Sequence, residues 1–116
     1  MKRDMDLIRQ LMLNLENDSY LNPEGYEKDV VTYHQALLIE AGLAKGSILW
    51  GDDIPKAVIL GGLTWQGHEF LDAARSEEGW RQVTQSIAKV AGTVSLSMLQ
   101  ALLNQWAAAK LGLLSK

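Results

Sequence analysis

The 116-residue chain has no cysteine, two prolines, one phenylalanine and two histidines. Without thiols it forms no disulfide and offers no thiolate to a metal, a usage that fits a reducing cytoplasm. The uncharged run from Val90 to Ala109 is broken by Thr93, Ser95, Ser97, Gln100, Asn104 and Gln105. It therefore reads as a helix of a globular protein and not as a membrane span. No uninterrupted apolar core follows the charged start Met1-Lys2-Arg3-Asp4-Met5-Asp6, so no signal peptide is expected.

Catalytic motifs are also missing. The chain contains no Gly-x-Ser-x-Gly, phosphate loop, dinucleotide fingerprint or His-Glu-x-x-His. Neither enzymatic activity nor a cofactor is expected. Positive charge is thin: residues 1–83 hold 8 Lys/Arg against 14 Asp/Glu, and only Lys89, Lys110 and Lys116 follow, for a net −3. Phosphate neutralisation needs clustered Lys and Arg, and no such stripe exists here.

What remains is ordinary for a globular domain, with 47% apolar and 22% charged residues. Met5, Ile8, Met12 and Leu15 recur at helical spacing beside Leu7 and Leu11, which predicts a helix over 4–16 capped by Asp4 or Asp6. Asn22-Pro23-Glu24-Gly25 is a turn. A second helix is expected over 27–41, with Val30, His34, Leu37, Leu38 and Ala41 as its apolar stripe and Gly42 at its left-handed C-cap. Ser47 to Trp50 and Lys56 to Leu60 read as strands joined through Gly51-Asp52-Asp53-Ile54-Pro55, a β-hairpin. Gly61-Gly62 then reads as a hinge into a helix capped by Thr64 and ending near Arg75. A fourth helix starts at Ser76 with Trp80, Val83, Ile87 and Ala91 on one face. Gly92-Thr93 breaks the chain, and Ser95 caps a last helix to about Leu111.

Helix, helix, hairpin, helix is the order of an α+β winged-helix-like domain. That domain is placed over residues 1–91, with a C-terminal amphipathic helix over 92–116 for packing or dimerisation. Three segments carry a more specific likeness: Met1 to Arg9, Tyr33 to Leu43, and Leu63-Thr64-Trp65-Gln66-Gly67-His68-Glu69-Phe70-Leu71-Asp72 on to Arg75 with Trp80 after it. On these, and on Lys110-Leu111-Gly112-Leu113, the chain resembles domain-of-unknown-function family 2513, short bacterial and phage proteins. The resemblance implies a winged-helix variant of phage or prophage setting. It brings no catalytic or binding residues with it.

As a DNA reader the chain is poorly equipped. The helix before the hairpin exposes Glu27, Asp29 and Glu40 against Lys28, leaving Thr32 and Gln35 to read bases and Lys45 and Lys56 as wing contacts. His34 and His68 lie on different elements without metal-ligand spacing and are expected to be structural, partly buried imidazoles. Gly61-Gly62-Leu63-Thr64 lacks the lysine of a phosphate loop, and Asp52-Asp53 is expected to be solvated. Trp65, Trp80 and Trp106 are expected in the core, with Trp50 as an exposed anchor at the hairpin tip. The last helix has Leu96, Leu99, Leu102, Leu103 and Trp106 on one side and the uncharged Ser97, Gln100, Asn104 and Ala108 opposite. Both sides therefore suggest contact. Trp50, Leu99, Leu103 and Trp106 are the expected partner-binding residues, the partner being a protein and in one case a second copy. The function expected is a non-enzymatic, cytoplasmic protein-interaction module; the alternative is a DNA-binding regulator dimerising through the last helix.

Overall fold

A computed structural model describes residues 2–92 and 94–114. Five helices and one antiparallel hairpin follow in the order α1 (Met5–Glu16), α2 (Lys28–Glu40), β1 (Ala44–Gly51), β2 (Ile54–Leu63), α3 (Trp65–Ala74), α4 (Glu77–Val90) and α5 (Leu96–Leu114). This is an α+β chain, compatible with a winged-helix-like arrangement followed by extra C-terminal helices. It divides into two compact units, residues 1–71 and 72–116. The division falls inside α3, and not at the break near Gly92, because α4 packs on α5. Of that expected Gly92-Thr93 break, Thr93 lies outside the described residues.

In the first unit α1 buries Leu7, Ile8, Leu11, Met12 and Leu15, a spacing of one face of a 3.6-residue helix. The Asp4 carboxylate caps it by accepting the Leu7 amide at 3.2 Å. The buried stripe of α2 is Val31, His34, Ala36 and Leu38. It is rotated from the expected one: Val30 and Leu37 are half-buried and Ala41 is exposed, because α2 packs against α1 and both strands at once.

Two helices end in the same way. After α2, Gly42 takes φ +75, its amide donates to Ile39 and the Leu43 amide donates to Leu38. After α1, Asp18 takes φ +55, its amide donates to Leu15 and the Ser19 amide donates to Asn14. Both are Schellman ends, which satisfy the last carbonyls through a left-handed residue.

The strands are longer than their expected spans, and the turn is tighter. Gly51 pairs with Ile54, so the loop is only Asp52-Asp53, with φ of +52 and +63. Positive φ at both loop positions matches a two-residue turn to the right-handed strand twist. Gly61 and Gly62 continue β2 and are not a hinge; Lys45 lies across from Gly61, 3.3 Å from where its Cβ would stand.

In the second unit Ser76 caps α4 by accepting the Gly79 amide, and Ser95 caps α5 by accepting the Met98 amide. The Trp106 ring covers Gly79 so closely that a Cβ there would lie 2.6 Å from Cε3. Its indole N–H donates to Gln82 Oε1 at 3.1 Å. Lys110 completes the seam, 3.2 Å from Glu78 and 5.7 Å from the Trp106 ring centre. Among the described residues no helix is long and apolar enough to cross a membrane.

Candidate functional site

The hairpin carries the most unusual surface. Side chains alternate across a strand, so Ile48, Val58 and Leu60 share the half-buried face toward the helices. Leu49 and Ile59 then point to the other face, where they are 66% and 75% exposed. Leu49 pairs with Ala57 and Ser47 with Ile59, which sets Leu49 and Ile59 two rungs apart on the same face. Trp50 and Ile54, beside the tip, are 49% and 51% exposed. Trp50 is thus open as expected, but it stands with three more large apolar residues. The alternation that turns Ile48 and Val58 inward also turns Leu49 and Ile59 outward; that was the available signal.

The expected DNA contacts are not gathered into a site. Lys28 and Lys45 are exposed, while Gln35 is half-buried and lines a cleft against Leu11 and Leu60. The Thr32 hydroxyl donates back to the Lys28 carbonyl of its own helix at 2.9 Å. The Lys56 stem lies along Gly51, where an added Cβ would stand 2.7 Å from its Cγ.

The Leu63-to-Asp72 motif resolves into a joint and an outer face. The Thr64 side chain accepts the Gly67 amide at 3.0 Å, as a helix cap, and donates to the Gly42 carbonyl. The Thr64 amide donates to the Leu43 carbonyl, so one residue ties the start of α3 to the end of α2. Gly67 is required there: a Cβ would lie 2.0 Å from the Leu43 oxygen. The inner side of α3 is then Gly67, Phe70, Leu71 and Ala74, all buried. Trp65 falls on the opposite side of the helical wheel and is 77% exposed, which corrects its expected place in the core. His68 is exposed as well, not partly buried.

His34 is fully buried. Its Nδ1 lies 2.8 Å from the Val30 carbonyl, and its Nε2 accepts the Asp4 amide at 2.7 Å. Since the amide can only donate, the ring carries its proton on Nδ1. His34 supplies from α2 the acceptor that a capping-box glutamate would supply from α1 itself. Among the described residues no group of three or more His, Cys, Asp or Glu side chains could hold a metal ion.

Leu99 and Leu103 of α5 are 1% and 0% exposed, so the chain itself closes them off and they present no surface to a partner. Trp106 is half-buried on Gly79. The outward face of α5 is instead Ser97, Met98, Ala101, Asn104, Gln105 and Ala108, without charge.

Two depressions lie in the first unit beside the loop after α1. One, of about 230 Å³, runs between Leu11, Leu15 and Leu21 and the strand residues Val58, Ile59 and Leu60. The other includes Asp6, Arg9, Glu24 and Tyr26. Burial pushes the Tyr26 phenol above its ordinary pKa, and the negative charges of Asp4 and Asp6 push it further.

Comparison with known proteins identifies a family and adds no activity. An uncharacterised protein of Haemophilus influenzae (strain ATCC 51907 / DSM 11121 / KW20 / Rd) is 36% identical over 107 residues, which cover 86% of this chain and 90% of that protein. No solved structure matches. The model of the family described as "Hypothetical protein (DUF2513)" matches residues 2–94, and the chain belongs to that family.

Proposed function

We propose that the protein is a non-enzymatic protein-interaction module of phage or prophage type, cytoplasmic, acting through the hairpin of its winged-helix-like unit. The observation that carries the reading is the set Leu49, Trp50, Ile54 and Ile59, four large apolar side chains each about half exposed or more on one small element. Scattered apolar residues on a surface are normal, whereas a group of them on one projecting element is the usual composition of a contact site. A photo-crosslinking amino acid in place of Trp50 tests it in cells. Discrete protein adducts are expected; adducts to nucleic acid alone, or none, would contradict the reading.

A second reading, a DNA-binding regulator dimerising through α5, is favoured by one observation, the uncharged outward face of that helix. Its DNA side would fall to Lys28, Thr32, Gln35, Lys45 and Lys56. Gel shifts at two salt concentrations separate the readings, since phosphate contacts weaken steeply as salt rises.

A further inference from the structure

The cleft of the first unit is lined by Val58, Ile59 and Leu60, three consecutive residues of β2. Alternate side chains of a strand point to opposite faces, so three in a row line one cleft only along the strand's edge. Among the described residues β2 pairs only with β1, which leaves its other edge without a strand partner. The next carbonyl along β2, that of Gly61, accepts the hydroxyl of Tyr20, itself a lining residue, at 3.1 Å. Opposite the edge stand Leu11, Leu15 and Leu21, and Leu21 is 81% exposed.

Charge indicates the chemistry of what fits. Asn14, Ser19 and Leu21 are shared between this cleft and the depression that holds Asp6, Arg9 and Glu24, so the two adjoin. Two carboxylates, Asp6 and Glu24, and one guanidinium, Arg9, line that depression, a net of one negative charge. Residues 1–71 as a whole carry 6 Lys/Arg against 11 Asp/Glu. Such a surface opposes an acidic ligand and attracts a basic one.

We propose that the open edge of β2 and the acidic depression beside it receive an extended segment of a partner protein in which apolar and basic side chains alternate. The segment adds a strand to β2 through main-chain hydrogen bonds. Its apolar side chains enter the cleft between Leu11, Leu15 and Leu21, and its Lys or Arg side chains meet the negative charge of the depression at Glu24. Strand addition supplies affinity from the backbone and selectivity from the alternate pockets. This proposal rests on the protein-interaction reading and assigns it a second surface, which meets the first at Ile59, and a partner chemistry.

The test is an amide-shift titration of the intact chain with two short synthetic peptides, one alternating Val and Lys, the other Val and Glu. The Val/Lys peptide is expected to bind saturably, with shifts centred on Leu21 and residues 58–60 and slower amide exchange along β2. Affinity should fall as salt rises from about 0.05 to about 0.2 M. Leu21→Asn should weaken it about tenfold, and Glu24→Lys about fivefold while improving the Val/Glu peptide. Both residues are exposed, so both variants should keep the dispersed spectrum of the folded chain. Equal binding of the two peptides, shifts that spare residues 58–60, or no binding would overturn the proposal. Shifts at 58–60 that grow with protein concentration alone would assign the edge to a second copy and overturn it too. Shifts confined to Leu49, Trp50 and Ile54 would overturn the β2 edge while leaving the hairpin reading standing.

Discussion

Gly67 and Gly62 stand near one another in sequence, yet the chain treats them differently. A Cβ on Gly67 would overlap the Leu43 carbonyl, while one on Gly62 meets nothing within 4 Å. Gly67→Ala must therefore separate α3 from the end of α2, and should cost about 2 kcal/mol or more in a denaturant titration. Gly62→Ala should stay within about 0.5 kcal/mol. Tyr26 gives a titration signature at the same scale. Its folded-state pKa lies above the unfolded value, so the folded chain holds this proton more tightly. That contribution to stability is complete below the ordinary tyrosine range and is lost as the pH rises through the raised folded-state pKa. Asp6→Asn should lower the phenol only in part, because burial is the larger cause, as read from phenolate absorbance against pH. The roles of Thr64 as a cap and His34 as an inward residue were legible from residue type and position. The exposure of Trp65 and His68 was not, because the phase of α3 is fixed by Gly67 against Leu43, a contact between residues 24 positions apart.

Element boundaries follow from local chemistry wherever a cap or a left-handed residue sets them. Asp4, Ser76 and Ser95 each start a helix by accepting an amide three residues on. Gly42 ends one by taking positive φ. Asp18 does the same work at greater conformational cost, since a Cβ disfavours the left-handed region. Asp18→Gly should therefore stabilise the chain by a few tenths to about 1 kcal/mol, measured as a raised unfolding midpoint; Gly42→Asp should lower it by a similar amount. The hairpin shows the limit of this local reading. Gly51, Ile54 and Pro55 look like turn residues, yet they belong to the strands, because Asp52 and Asp53 alone adopt positive φ and close the turn. Gly61 and Gly62 look like a hinge, yet pairing with β1 carries β2 through to Leu63. Only the partner strand decides such positions.

For the molecule as a whole, the division after Leu71 assigns α4 to α5 and gives Trp106 an internal task. Trp106→Ala removes the cover of Gly79 and the bond to Gln82, and should cost about 2 kcal/mol of the second unit's stability in thermal unfolding. If self-association occurs through the outward face of α5, this variant should leave it intact, because Met98 and Ala101 lie on that face and Trp106 does not. Sedimentation at several concentrations checks the second half of that statement. Five helices and a hairpin, in the right order, were legible in the sequence, because periodicity and caps are local. Where the compact units divide was not, since it depends on α4 packing against α5, which no local pattern encodes. Protein contact in place of DNA binding is the central claim, and a duplex-DNA titration at physiological salt, followed by fluorescence anisotropy, tests it most directly. The account predicts no tight complex with random or genomic duplex, given one Lys against Glu27, Asp29 and Glu40 along residues 27–41. A nanomolar, salt-sensitive complex lost on Gln35→Ala would contradict it.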